Sequence, residues 1–381
     1  MKILIFSSNS SSRGGGERFL INLAKSLKGL GNNVEIVLST NKYMDSWSRE
    51  FEELNLNIHR YNLKALAQRK LRFVSAILDF YQIKKIKDIC NQIMPNLIIV
   101  NQQYDEDGLD YIKGALSSKI SNVIGFIHMP MTNSKKDRPL GFLRMKLLKS
   151  WYYKNPYKVV FCSEGSKTEF KNFYKKIDNV FVVNNSIPLF KVRDYSDYYK
   201  RRKNCDMVNL TFVGQFVPQK NLFLLIEIWK KLLVQGFKVK LSLIGDGPLF
   251  EKIKISLNEI ESKLWHLEGW CEDVDQFLEE TDIYLMTSLF EGCPLSLIEA
   301  ASKGIHCIVN PFNGASDIKK YAEWIHISET FKSEDFLSSI KSVIVKKVYL
   351  KKISKNSLKI FREYFSLKRM GEEIIEITKN G

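Results

Sequence analysis

The stretch Ser288–Ala300, SLFEGCPLSLIEA, decides the reading of this chain. Pro294 suits a first helical position, where a missing N–H costs nothing and φ is already helical, and Gly304 stands where a left-handed C-terminal cap belongs. The spacing therefore predicts a short helix over 294–303, flanked and followed by two carboxylates, Glu291 and Glu299. The first N–H groups of such a helix lack partners and carry partial positive charge, a ready seat for a diphosphate. The competing reading is an amphipathic helix with two solvated glutamates.

Outward from this segment, short apolar or β-branched runs alternate with helical patterns, as parallel sheets with crossover helices require. In the first half the strands are read at 2–7, 34–39, 96–100, 123–128, 158–162 and 180–184. In the second half they are read at 210–214, 239–245, 263–267, 283–287 and 306–310. Phe19, Leu20, Leu23, Ala24 and Leu27 share one helical face between the first two strands. The stretch 191–209 is charged, tyrosine-rich and short of aliphatic residues, so it reads as a linker between domains 1–190 and 210–354. A last helical pattern, rich in Lys and Glu, falls at about 355–378.

Composition agrees with this division. The 381 residues, 45% hydrophobic, are enough for two cores, and no apolar run approaches the roughly 20 residues that span a bilayer. The start, MKILIFSSNS, reads as a strand rather than a signal peptide, so a cytoplasmic protein is expected. Six scattered cysteines, with no C-x-x-C pair, indicate neither a zinc site nor a disulfide framework. Charge is unevenly placed: residues 1–205 hold 35 Lys and Arg against 18 Asp and Glu, the remainder 23 against 24. All the excess positive charge thus lies in the first half, which suits an anionic membrane leaflet, an anionic acceptor or nucleic acid.

Several residues are placed for chemistry. Lys220 follows the strand at 210–214 and a turn containing Pro218, which projects it over the carboxyl ends of the strands, where ligands of open α/β sheets bind. Gly14, Gly15 and Gly16 join the first strand to a helix and let a substrate approach the backbone. They lack the G-x-G-x-x-G pattern of a dinucleotide-binding oxidoreductase. His128 ends a strand, and Met129-Pro130 takes the chain out of the sheet behind it. The loop Gly245–Pro248, with Gly247, and the turn Glu268–Cys271 line the same end of the second half. Trp270 there is either a stacking surface for a base or a core residue, with main-chain contacts around Trp270 and Cys271 reading the base edge. Asp105–Glu106–Asp107 reads as a solvated acidic turn. Finally, Phe142–Lys158 places Leu143, Leu147, Trp151 and Tyr152 on one stripe among Arg144, Lys146, Lys149 and Lys154, a pattern suited to a membrane surface. The stretch Lys64–Lys87 is equally basic.

In order, GGGERFLINLAKSL (14–27), FIHMP (126–130), VVFCSEGSK (159–167), VVNNSI (182–187), VGQFVPQKN (213–221), LIGDGPL (243–249), LEGW (267–270) and the E-x7-E segment resemble the retaining glycosyltransferases of family 4. The resemblance runs through most of the chain. It implies a GT-B fold, two Rossmann-like α/β domains with parallel sheets facing across a deep cleft, the first binding acceptor and the second the nucleotide sugar, with residues 355–381 crossing back to the first. It implies a hexosyl transfer from a nucleotide-diphosphate donor, a UDP-sugar by expectation, to an acceptor hydroxyl with retention, without metal or other cofactor. Glu291, Lys220 and His128 would be catalytic. Gly15, Gly16, Gln215, Gly245, Gly247, Trp270, Cys271, Gly292, Cys293, Pro294, Leu295 and Glu299 would complete the donor site. Such enzymes commonly carry an arginine where this chain has Gln215, so part of the diphosphate charge is left unassigned. With the basic first half, the expectation is a peripheral enzyme on the inner membrane face, acting on a lipid-linked glycan in polysaccharide synthesis rather than on nucleic acid. A soluble glycan, protein or nucleic-acid acceptor, a sugar-nucleotide epimerase and a non-catalytic nucleic-acid-binding protein are the competing readings.

Overall fold

The computed structural model describes residues 1–7, 14–41, 44–64, 72–130, 141–189 and 191–379. The chain divides into two compact units, Met1–Ser186 with Leu367–Gly381, and Ile187–Ser366.

The first unit carries a seven-stranded parallel sheet of β1 (Lys2–Ser7), β2 (Asn33–Ser39), β3 (Asn57–Tyr61), β4 (Leu97–Tyr104), β5 (Val123–Met129), β6 (Lys158–Phe161) and β7 (Val180–Val182), in the order β3-β2-β1-β4-β5-β6-β7. Near-continuous apolar runs such as Ile3–Phe6 and Leu97–Val100 are buried on both faces, as parallel strands covered by helices must be. One core packs Leu4, Phe6, Ile98, Val100, Ile127 and Phe161 against Ile86, Ile112, Leu148 and Phe170 from the crossover helices. The second unit has β8 (Val208–Val213), β9 (Val239–Ile244), β10 (Trp265–Glu268), β11 (Ile283–Met286), β12 (His306–Val309) and β13 (Ile325–Ile327), ordered β10-β9-β8-β11-β12-β13 and again all parallel. In each sheet the strand order reverses once, between β1 and β4 and between β8 and β11. These are the points at which doubly wound sheets bind ligands, outside the carboxyl ends of the strands.

Two boundaries differ from the sequence reading. The stretch 191–209 is no free linker: it holds the helix Tyr195–Arg202, fastened to the second unit by a buried polar knot. Asp282, fully buried, accepts from Tyr198 Oη at 2.7 Å and from the Asn209 amide at 2.7 Å, and pairs with Arg202. Breaking such a pair costs about 3–5 kcal/mol, because the survivor is an uncompensated buried charge. Of the tyrosines that gave the stretch its linker-like composition, Tyr198 is thus a packing residue, whereas Tyr199 is exposed. The terminal pattern at 355–378 is likewise two helices, Lys355–Tyr364 in the second unit and Leu367–Lys379 in the first. The terminal helix is tied to the first unit by Arg369, which donates to Asn184 O at 2.7 Å and Ser186 Oγ at 2.8 Å. Strands β3 and β13 have no counterpart in the sequence reading.

Candidate functional site

In the second unit the chain leaving β8 and the chain leaving β11 are laced together at the reversal point. A single 3₁₀ turn, Pro218–Lys220, ends at Asn221 in the left-handed region, φ 51°. The Thr287 hydroxyl donates to the carbonyls of Lys220 and Asn221, both at 3.1 Å. Leu289 N donates to Gln219 O at 2.9 Å, and Gln219 Nε2 to Phe290 O at 2.7 Å. The lacing brings Lys220 Nζ to 2.5 Å from Glu291 Oε1, with both side chains largely buried. Two residues 71 positions apart in sequence form the ion pair on which the site centres.

Behind Glu291, the helix Leu295–Ser302 begins one position later than the spacing predicts. Pro294 is its N-cap, with ψ 123°, not its first helical residue, and Lys303 rather than Gly304 is the C-cap. Gly304 follows in the left-handed region, φ 78°. No side chain caps the start, so the amides of Leu295, Ser296 and Leu297 have no intrahelical acceptor. Gly292, Cys293 and Pro294 are buried ahead of it, and Glu299 is partly buried one turn on. Tyr284, buried on β11, lies under the helix start. Its hydroxyl is 3.2 Å from Val213 O, to which it donates, and 2.9 Å from Ser296 Oγ, and burial pushes its pKa well above the ordinary 10.

The loops after β8 and β9 meet backbone to backbone beside this cluster. Gly214 N donates to Ile244 O at 3.0 Å and Phe216 N to Asp246 O at 2.9 Å. Gly245, at φ 143°, is so close to Gly214 that a Cβ would lie 1.9 Å from its carbonyl oxygen, so no other residue fits there. Gln215 sits in this layer, partly exposed, with Gly247 across from Phe216. Trp270 is 43% exposed, which removes the core reading, and the Cys271 thiol lies 3.0 Å from Asp273 O.

In the first unit, Gly15 and Gly16 open the helix Gly15–Gly29, whose Gly14 N-cap donates its amide to Glu17 Oε2 at 3.2 Å. Burial raises the Glu17 carboxyl to about 7. His128, at the end of β5, is buried, 2.9 Å from Asn101 Oδ1 through Nε2, with the Phe19 ring edge-on at 4.6 Å. The Asn101 amide nitrogen faces Gly16 O at 3.5 Å, which turns its oxygen to the imidazole and so puts the proton on Nε2. Burial lowers the His128 pKa to about 4, so the ring is neutral at pH 7. Between the ordinary 6.5 and about 4 the unfolded chain binds a proton that folded His128 does not, so the ring costs stability as pH falls through that window. Glu17 acts oppositely between about 4.5 and 7. His128→Gln is therefore expected to shrink the loss of unfolding free energy between pH 7 and pH 5, read by urea denaturation. An unchanged loss would contradict a buried neutral imidazole.

Two sequence expectations are overturned. Asp105, Glu106 and Asp107 are all buried, not solvated. Tyr152 Oη donates to Asp105 O at 2.6 Å, Tyr174 Oη to Asp105 Oδ2 at 3.1 Å, the Tyr104 amide to Asp107 Oδ2 at 3.0 Å, and Arg144 pairs with Glu106. The helix Gly141–Lys154 correspondingly splits its supposed stripe: Trp151 and Tyr152 are core, whereas Phe142, Leu143 and Leu147 are exposed. Residues 65–71 of the Lys64–Lys87 stretch lie outside the described residues; beyond them Leu78, Phe80 and Tyr81 are exposed. Asn101, Thr287 and Tyr284 were not singled out by sequence. The available signal was a polar group at or near the carboxyl end of an apolar strand beside each reversal point.

Two doubly wound parallel α/β sheets, each with its polar cluster at the reversal point, define the GT-B class of fold. Anabaena Alr3699/HepE, whose crystal structure was solved in complex with UDP, shares this fold at a TM-score of 0.78 over 100% of both chains, with 16% identity. Residues 208–344 match the family model described as Glycosyl transferases group 1. Among curated relatives, the Escherichia coli UDP-Gal:alpha-D-GlcNAc-diphosphoundecaprenol alpha-1,3-galactosyltransferase is 32% identical over 115 residues, 29% of this chain and 30% of its own length. The amylovoran biosynthesis glycosyltransferase AmsD of Erwinia amylovora is 29% identical over 177 residues, 43% of this chain and 46% of its own. The chain thus spans less than half the length of these two relatives. Among the described residues no group of three His, Cys, Asp or Glu could hold a metal ion, and no helix is long and apolar enough to cross a membrane.

Proposed function

We propose that the chain is a family 4 retaining glycosyltransferase that moves a hexose from a UDP-sugar to a hydroxyl of a lipid-linked glycan in polysaccharide biosynthesis. The observation that carries this reading is the Lys220–Glu291 pair beside an uncapped helix start at the reversal point of the second sheet. As the anomeric C–O bond breaks, its electron pair goes to the diphosphate and positive charge builds on the sugar ring. The Lys220 ammonium and the amides of Leu295–Leu297 are preorganised for the anionic partner. Glu291 accepts from donor-sugar hydroxyls, and Glu299 from the ribose. The departing phosphate oxygen takes the acceptor proton on the same face on which the new C–O bond forms, which retains configuration. Neutral His128, donating through Nε2, suits a hydrogen bond within the first unit better than a charge on the sugar.

The relatives' names favour a uridine donor and an acceptor carried on a diphospholipid. The test is incubation with a panel of UDP-hexoses and a polyprenyl-diphosphate-linked N-acetylhexosamine, with the new linkage read by NMR. An α-linked product from an α-linked donor, formed equally with excess chelator, is expected. An inverted linkage, or activity lost to chelator and restored by Mg²⁺, overturns retention or metal independence respectively.

The basic first half favours docking of that unit at the inner membrane face through Phe142, Leu143 and Leu147 with Lys146, Lys149 and Lys154. Flotation with anionic vesicles should fall as salt rises, each basic residue at the surface contributing about 1 kcal/mol. Phe142→Glu with Leu143→Glu should abolish it. Equal flotation with neutral vesicles, or none with either, would move the acceptor to a soluble glycan or protein.

A further inference from the structure

Thr287, Asn310 and Ser328 are each the first residue past a strand, β11, β12 and β13 respectively, and all three are buried. Asn310 joins them. Its backbone amide donates to Met286 O at 3.0 Å, and its side-chain Nδ2 faces Thr287 O at 2.9 Å and Ser288 O at 3.5 Å, so one residue grips three successive carbonyls of the chain leaving β11. Two carbonyls on that side admit only the NH₂ group, which turns Oδ1 toward the Ser328 hydroxyl at 3.2 Å. Ser328 is fixed to β12 in turn by its own amide, 2.9 Å from Val309 O. At the other end the Thr287 hydroxyl reaches the carbonyls of Lys220 and Asn221. A continuous chain of hydrogen bonds thus runs from the edge strand β13, through the ends of β12 and β11, to the turn that carries Lys220.

Burial alone does not account for this chain. An apolar side chain of similar size would fill each position without removing a polar group from water, so what the polar groups add is direction, a single setting of the 287–288 backbone and of the turn bonded to it. The group at stake is the Lys220 ammonium, held against Glu291 beside the uncapped helix start. Misplacement of such a group by about 1 Å can cost about a hundredfold in rate. We propose that Asn310 and Thr287 are positioning residues for the transfer step: Asn310 fixes the backbone of Thr287, and the Thr287 hydroxyl fixes the turn that sets the Lys220 ammonium opposite Glu291. The proposal rests on the transfer reading for what Lys220 does, and not for how Lys220 is held.

The test is a double-mutant cycle on the full chain. Asn310→Leu and Thr287→Val keep the shape and remove the hydrogen bonds, and each should lower turnover at least tenfold, whereas Thr287→Ser keeps the hydroxyl and should recover most of the rate. In a Lys220→Ala background, Asn310→Leu and Thr287→Val should each cost less than twofold further, because the group they position is gone. A merely structural role would cost the same factor with or without Lys220, and that result overturns the proposal, as does wild-type turnover in both single variants. Where Asn310→Leu fails to fold, Thr287→Val, which exchanges one hydroxyl for a methyl group, carries the cycle. Crystal structures of the Thr287 variants read the geometry whatever the substrate: Lys220 Nζ should leave Glu291 in Thr287→Val and stay beside it in Thr287→Ser. An unmoved pair in Thr287→Val overturns the proposal even where transfer is observed. A moved pair, with no transfer by the wild type from any UDP-hexose, supports the positioning and overturns the transfer reading alone.

Discussion

Lys220→Ala is expected to lower turnover about a hundredfold, a loss of about 2.7 kcal/mol of transition-state stabilisation. The size follows from where the ammonium sits. Lys220 is held by a turn whose carbonyls are fixed by Thr287, and its charge lies in a largely buried position, where screening by water is weak. The alanine variant also leaves Glu291 without its cation, so the carboxylate repels an incoming diphosphate. Lys220→Arg keeps the charge but not the compact point geometry and should recover only part of the rate. The measurement is the initial rate at saturating donor, with the unfolding midpoint recorded beside it. A rate within threefold of wild type removes Lys220 from the mechanism. Glu291→Gln separates the two partners: it keeps the shape, removes the charge, and should weaken the donor sugar more than free UDP.

Gly314→Ala is expected to cost about 3 kcal/mol in the second unit and to weaken UDP binding at least tenfold. A Cβ at this position would lie 1.6 Å from the Gly292 carbonyl oxygen, which is backbone and cannot rotate aside. Gly292 belongs to the segment joining Glu291 to the helix start, so relief of the clash moves both the carboxylate and the free amides. Overpacking of this kind costs about 1–3 kcal/mol, and contact with fixed backbone places it at the upper end. At 2–4 °C per kcal/mol for a unit of this size, the second unit's melting midpoint should drop by about 6–12 °C. Gly269→Ala, with nothing within 4 Å of its Cβ, is the matched control for the melting midpoint and should leave it little changed. A Gly314→Ala protein that melts and binds like wild type would show that the 291–294 segment is not held where the structure has it.

What was legible in the sequence follows from what is local. Interior strands announce themselves by continuous apolar runs, and the helix after Glu291 by its proline and glycine. Strand β3, NIHRY, is an edge strand with half-exposed polar side chains, and β13 has only three residues, so neither offers a run to read. Lys220 and Glu291 are each visible, but their contact is made by tertiary lacing. The acidic turn at 105–107 shows the converse. Three consecutive carboxylates look solvated until Tyr152 and Tyr174, 47 and 69 residues further on, are folded over the first of them. Trp151 and Tyr152 were drawn to the wrong face for the same reason, since a weakly amphipathic helix does not declare which side the core occupies.

The placement of the last helix sets an order on how the protein is made. The second unit is one uninterrupted stretch, Ile187–Ser366, whereas the first is completed by Leu367–Gly381, which is synthesised only after the whole of that stretch. Until then, the ground later covered by Met370, Ile374 and Ile377 is bare apolar surface alongside the helix Gly15–Gly29. At about 5–20 residues per second, the N-terminal segment waits tens of seconds at the slow end while its neighbour, begun later, already has every strand it needs. The half of the molecule synthesised first is therefore the half that finishes last, and during that interval it is the part a chaperone would hold.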